Sequence, residues 1–315
     1  MSVSENKHPH DHDTHDAGRG ESRLLIAFVL TALAMLIEAA GGWWSGSLAL
    51  LADAGHMLVD AFALLLAWAG AHFARRPADA RRSFGYARLE VLVGYTNALA
   101  QFALVAWIVF EALLRLRTPE PIHAMPMLAI ALVGMAINLI VLGILGNHAH
   151  DDLNTAGARL HVIGDLLGSI GAVIAALLIA AFAWLWADAA ISILTAALIL
   201  RSAWRLLRRC AHILLEGTPD DLQTATVIEA LREYPGVGPV HHVHVWQLAS
   251  GSRIATLHAR LVEGNDADAV LASIQRTLRD QFQITHATIQ LERNDCADDD
   301  CSDVSGMRHA GHSHQ

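Results

Sequence analysis

Residues 48–73, LALLADAGHMLVDAFALLLAWAGAHF, decide the fold. The run is apolar over enough length to cross a hydrocarbon core of about 30 Å at 1.5 Å rise per residue, yet its interior holds Asp53, His56 and Asp60. A carboxylate at bilayer depth costs about 2.5–3.5 kcal/mol even on a lenient insertion scale, so each Asp there needs a compensating partner. His56 and Asp60 are spaced i, i+4, which places both side chains on one helix face, one turn apart.

Working outward, five more segments are long and apolar enough to span, near 24–45, 89–113, 125–147, 158–182 and 184–206. The fifth repeats the pattern with His161 and Asp165. One such pair could satisfy itself by a hydrogen bond within its own helix. The same His-x-x-x-Asp pattern in two separate spans argues instead for a shared site, because ionisable residues inside a membrane default to a pathway or binding role. Two imidazole nitrogens and two carboxylates form a tetrahedral N2O2 set suited to Zn²⁺. Asp53, three residues before His56, reads as a cavity or supporting group. Gly164 and Gly168 read as helix packing. Glu38, Asn97, Gln101 and Asn138 read as interior hydrogen-bonding residues.

Composition agrees with a membrane chain. Of 315 residues, 54% are hydrophobic and 17% charged, against about 25% charged in a soluble domain. Histidine occurs 19 times, and 21 of the 22 basic residues are Arg. The net charge of -9 divides as -3 over 1–22, +2 over 23–209 and -8 over 210–315, leaving no basic face for nucleic acid. Arg75, Arg76, Arg81, Arg82 and Arg88 follow the second span, and Arg201, Arg205, Arg208 and Arg209 close the sixth. Positive-inside bias then puts both termini in the cytoplasm, with Trp43, Trp44, Trp184 and Trp186 at the opposite interface. With no G-x-x-x-x-G-K-[ST] loop and no H-E-x-x-H, the sequence offers neither ATP-driven export nor a metallohydrolase, so an enzyme is not expected. Three cysteines, Cys210, Cys296 and Cys301, do not make a disulfide framework.

The expected division is a His-rich tail over 1–22 (His8, His10, His12, His15), a six-helix membrane domain over 23–209, a small cytoplasmic α/β domain over 210–292 and an acidic, His-containing tail over 293–315. In the third part, Thr218-Pro219-Asp220 reads as a helix start, with the helix running to about Tyr234. Strands at 240–248 and 254–262, a helix at 266–282 and a strand at 286–291 give an α-β-β-α-β order. Strand alternation places His242 and His244 on the face opposite His241.

The stretches LLADAGHMLVD (50–60), SFGYARLE (83–90), HVIGD (161–165), HHVHVW (241–246) and THATIQ (285–290) together resemble the cation diffusion facilitator, or cation efflux, family over about residues 23–292, most of all its zinc, cadmium and cobalt exporting bacterial branch. The resemblance implies a multi-pass inner-membrane homodimer with a metallochaperone-like cytoplasmic domain. It also implies a transport site from the second and fifth spans and exchange of Zn²⁺, with Cd²⁺, Co²⁺ or Ni²⁺ as further substrates, for protons by alternating access. It further implies cytoplasmic zinc at His241, His258, His286 and Glu292, an extra tail site involving Cys296 and Cys301, and a charge pair between Arg88 and Asp220 that locks the dimer. Relatives with a loop metal site use an Asp and two His where this chain has Asp79, Arg82 and Tyr86, so no loop metal is expected. The competing reading is a membrane-bound metal sensor that binds without transporting.

Overall fold

The computed structural model describes the backbone of residues 13–74, 79–146, 153–249 and 251–293, with side chains other than those of 13–25, 71–74, 146, 153–158 and 160. The His-bearing tails, Cys296 and Cys301 lie outside the described residues or side chains. The elements run α1 Asp13–Ser45, α2 Leu48–Ala74, α3 Arg88–Arg117, α4 Ala124–Gly146, α5 Leu153–Phe182, α6 Trp186–Leu214, α7 Thr224–Arg232, β1 Val237–Ala249, β2 Ser252–Leu261, α8 Ala267–Phe282 and β3 Ile284–Glu292.

Helices α1 to α6 all contain apolar stretches long enough to span a membrane. Helix α1 starts well before the apolar segment near 24, and α6 runs past 206 to Leu214. The tight α5–α6 link is made by Ala183 in the left-handed conformation (φ 56°), with Phe182, Trp184 and Trp186 stacked beside it at 5.1 and 5.4 Å between successive ring centroids.

The chain divides into two compact units, 1–66 with 96–205 and 67–95 with 206–315. In the first, α4 packs on α1 and on α5. Small residues make this close approach possible: Ala131, Ala172, Ala175 and Ala176 are buried around Leu50 and Met127. Leu132, Val133, Leu139 and Ile140 on the same α4 face outward and exposed, as a helix apolar all round requires in lipid.

In the second unit, β1 and β2 pair antiparallel and β2 and β3 parallel, in the order β1-β2-β3. A parallel pair needs a crossover, and α8 supplies it. It buries Val270, Ile274, Leu278 and Phe282 at helical spacing, is capped by the Asp266 carboxylate accepting from the Asp268 N–H, and ends at left-handed Gln283. With Val227 and Leu231 of α7 and Leu257 of β2 they form the core, each large side chain contributing about 1.5–3 kcal/mol by burial. The helix expected from Pro219 begins only at Thr224. Residues 219–222 instead form a single turn, Leu222 N–H to Pro219 O at 2.9 Å, that tucks Leu222 into this core.

Candidate metal centres

Helices α2 and α5 bring together the four residues singled out by spacing. Asp60 Oδ2 lies 3.6 Å from His56 Nε2 and 3.6 Å from His161 Nδ1, and Asp165 Oδ2 lies 3.6 Å from His161 Nε2. The two imidazole centroids are 5.6 Å apart. A separation of 3.6 Å is too long for a hydrogen bond, so neither pair is self-satisfied within its helix. His161 turns Nδ1 toward Asp60 and Nε2 toward Asp165. One ligand atom from each of His56, His161 and Asp165 lies within 4.8 Å of the others, a spacing able to hold a metal ion, with Asp60 beside them. Asp165 is 1% exposed and neither carboxylate oxygen has a hydrogen-bond partner, which leaves both free to accept a cation.

Gln101 on α3 has a larger role than interior polarity predicts. Its amide donates to Asp60 Oδ1 at 2.6 Å and meets His56 Nδ1 at 3.0–3.2 Å, so it orients one ligand of each type. Asn138, by contrast, donates to Ser169 away from the ligands. Asp53 is buried among the helices and makes no ligand cluster with His56 and Asp60. It sits against α5 at Gly168, where an added Cβ would stand 3.0 Å from both carboxylate oxygens. Gly168 thus makes room for Asp53, whereas Gly164 faces open space. A cavity of about 350 Å³, lined by Met35, Met57, Leu64 and Val162 among others, reaches Asp60 and His161.

At the start of α2, Asp188 of α6 is fully buried and accepts from Ser47 Oγ (2.6 Å), Leu48 N–H (2.7 Å) and Ala49 N–H (3.2 Å). It caps the helix from another element and satisfies donors that a helix start leaves orphaned. Arg115 adds its guanidinium at 3.9 Å from Asp188 and donates to Gly46 O.

In the second unit, the loop before α3 ties Asp79 to Arg82 at 3.4 Å and to the Tyr86 hydroxyl at 3.1 Å. The Arg81 backbone N–H foremost, with Tyr86 and Arg82, holds the Asp79 carboxyl below its usual range. A guanidinium therefore occupies the place of a cation at this carboxylate.

Arg88 pairs with Glu216 at 2.8 Å, not with Asp220. Helix α6 ends at Leu214, and left-handed Glu216 (φ 60°) with the Gly217 N–H bonded to His212 O turns the Glu216 carboxylate toward Arg88. Asp220 lies exposed.

A second cluster joins His241 of β1, His258 of β2 and Glu292 of β3. His241 Nε2 and His258 Nδ1 lie 3.2 and 2.9 Å from the two Glu292 oxygens. His241 pairs directly with His258, and Glu292 pairs with the nearby Arg260, so register assembles the three. Two imidazoles and a carboxylate, largely shielded from water, fit Zn²⁺ chemically. His286 does not join them. It pairs with Ile254 and stands six residues from Glu292, about 20 Å along the strand, exposed beside Phe84 at 6.2 Å between rings. His242, expected on the opposite face, is brought in: its ring centroid is 5.3 Å from His241 and 5.1 Å from His258, because β1 slips register between His241 and His244 and His242 adopts φ 50°. His244, past the slip, is exposed.

Residues 24–215 match the family profile described as the cation efflux transmembrane domain, and 219–294 that described as the cation efflux protein cytoplasmic domain. The chain is 46% identical over 311 residues, 98% of both chains, to a protein named zinc transporter ZitB from Escherichia coli. It is 40% identical to the metal cation efflux system protein CzcD of Cupriavidus metallidurans, over 94% of this chain and 92% of that one. It is 38% identical to a cadmium, cobalt and zinc/H(+)-K(+) antiporter of Bacillus velezensis, over 90% and 91%. A solved structure of the metal-bound C-terminal domain of the CzcD transporter is 35% identical over 22% of this chain and 99% of that one, with a TM-score of 0.22.

Proposed function

The chain belongs to the cation efflux family, and from that premise we propose that it exchanges cytoplasmic Zn²⁺ for protons through a site made of His56, Asp60, His161 and Asp165. It is a transporter of divalent cations and not an enzyme. The observation that supports the site assignment is the cluster across α2 and α5 in which ligand atoms of His56, His161 and Asp165 lie within 4.8 Å of one another, with Asp60 3.6 Å from both imidazoles. Relatives named for zinc, cadmium and cobalt support the substrate class. Two imidazoles beside two carboxylates favour Zn²⁺ over harder ions such as Mn²⁺.

In this reading the ion enters from the cytoplasm when the imidazoles are neutral and the carboxylates ionised, since ligands must be deprotonated to bind. Exposure to a more acidic medium on the far side protonates imidazole, the side chain that ordinarily titrates between about pH 5 and 8, and releases the ion. An empty site leaves carboxylates facing one another inside an apolar bundle, so the return step carries protons. The name of the Bacillus relative includes H⁺ antiport, which supports this coupling. We further propose a homodimer in the bacterial inner membrane with both termini cytoplasmic, supported by loop charge, and a resident metal at His241, His258 and Glu292 that stiffens or regulates the cytoplasmic domain.

The test is zinc uptake into inverted membrane vesicles energised by an acid interior. Uptake should collapse with the pH gradient, require no ATP, and vanish in Asp60→Ala and Asp165→Ala. Undiminished transport by either variant removes the site assignment, and zinc binding without flux by the unaltered protein favours the sensor reading.

A further inference from the structure

Strand β1 meets β2 with one residue too many between His241 and His244: the pairing runs His241 with His258, then His244 with Thr256, so His242 and Val243 stand opposite Leu257 alone. Such a bulge re-aims a side chain that simple alternation would send to the other face. His242 carries the slip in a left-handed conformation, φ 50°, uncommon for any residue with a side chain and a mark of function more often than of accident. Its ring is partly buried, and Nε2 is shielded from solvent with no hydrogen-bond partner. A buried, unpaired imidazole nitrogen is costly unless something binds it.

The three imidazoles of His241, His242 and His258 form a nearly equilateral triangle, with centroid separations of 5.3, 5.1 and 5.4 Å. Imidazoles bound to one Zn²⁺ through nitrogens at about 2.0–2.1 Å hold their centroids about 5.2 Å apart at tetrahedral angles. Glu292 contacts two of these rings at 2.9 and 3.2 Å. The ligand atoms of His241, His258 and Glu292 already lie within 4.8 Å of one another, and a rotation of the adjacent His242 ring completes the set.

We propose that His242 is a direct fourth ligand of the cytoplasmic site, so that His241, His242, His258 and Glu292 close a tetrahedron around one divalent ion with no position left for water. The inference rests on the reading of His241, His258 and Glu292 as a metal site, and deepens it. Sites with four protein ligands are structural, whereas those with three keep an open position for exchange or chemistry. The bulge therefore makes this a retentive site, one that fixes β1, β2 and β3 to one another and does not pass its ion on.

The experiment uses the purified full-length chain carrying Asp60→Ala and Asp165→Ala, with Co²⁺ as a visible-absorbing probe and Zn²⁺ as competitor. Asn and Gly both tolerate positive φ, so His242→Asn and His242→Gly remove the imidazole and keep the bulge. Each should weaken binding at one site per chain by about 100-fold, at least what loss of an outer partner already costs, and should reduce the intense tetrahedral Co²⁺ absorption. Unchanged affinity and spectrum in both variants, alongside loss in His258→Ala, overturn the proposal and leave the three-residue site standing. Unchanged binding in His258→Ala and Glu292→Gln as well overturns both.

Discussion

Asp60 on α2 stands 3.6 Å from His161 on α5, the same separation that it keeps from His56 on its own helix. One carboxylate thus spans two helices and joins both halves of the site. Exchanging an imidazole for a carboxylate at this point should shift the site toward harder ions. In His56→Asp we expect Mn²⁺ to compete with Zn²⁺ on the order of tenfold better, a change of about 1.4 kcal/mol in relative affinity. Competition for uptake at matched free concentrations measures it, and an unchanged ion preference would count against coordination by His56.

Gln101 bridges His56 and Asp60 from α3. Loss of an outer hydrogen-bonding partner typically costs about 10–100-fold in metal affinity. Gln101→Ala should therefore raise the Zn²⁺ concentration needed for half-maximal transport within that range, while Asn138→Ala, whose amide serves Ser169, should shift it far less.

Asp188 answers three donors at the start of α2 and neighbours the Arg115 guanidinium. Its removal leaves buried N–H groups at the start of α2 unmatched, at a cost of about 1–3 kcal/mol for each orphaned donor, while Arg115 keeps Glu111 at 3.0 Å and Glu120 at 3.7 Å. Asp188→Ala should lower the melting temperature of the purified protein sharply. A melt within a degree or two of the unaltered chain would contradict the capping role.

Arg88 and Glu216 are 40% and 62% exposed, so their pair contributes only about 0–1 kcal/mol. Its specificity is the informative property. Reversing Arg88→Glu should impair stability slightly, and Glu216→Arg should restore it in the double variant while Asp220→Arg does not. Rescue through Asp220 would reinstate the partner implied by family likeness.

Asp221 accepts from Arg253 at 2.6 Å, and that bond holds its carboxyl below the usual range. A carboxyl lowered on folding stabilises the fold above its unfolded value, about 3.9, and loses that contribution as pH falls through the folded value. Thermal unfolding of Asp221→Asn and of the unaltered protein should therefore differ by the same small amount from pH 8 to 5 and converge in strong acid. A difference that disappears between pH 7 and 5 would assign it to another group.

The spans and the His–Asp pairs that α2 and α5 bring together were legible from the sequence because each rests on a large energy: twenty or so apolar residues in a row, and charges that lipid does not tolerate alone. Gln101 was visible only as a polar interior residue, since which side chain it meets depends on how α3 packs. In the soluble part, periodicity found all three strands and α8, but not the single turn at Pro219–Leu222, whose decisive contact is a buried Leu222. His286 shares strand parity with Glu292 and still stands too far along β3, a distance that only pairing register reveals. His242 escaped alternation for a local reason, a bulge that two adjacent histidines do not announce.

The cap at the head of α2 has a mechanical side. With Leu48 and Ala49 held by Asp188 and Asp60 twelve residues further on, α2 is a lever hinged at one end, with an arm of about 18 Å at 1.5 Å per residue. A tilt of about 5° around that hinge carries Asp60 by about 1.6 Å, a large part of its 3.6 Å reach to His161. In the proposed transport cycle, filling the site and inclining this rod would be one coupled motion, read at opposite ends.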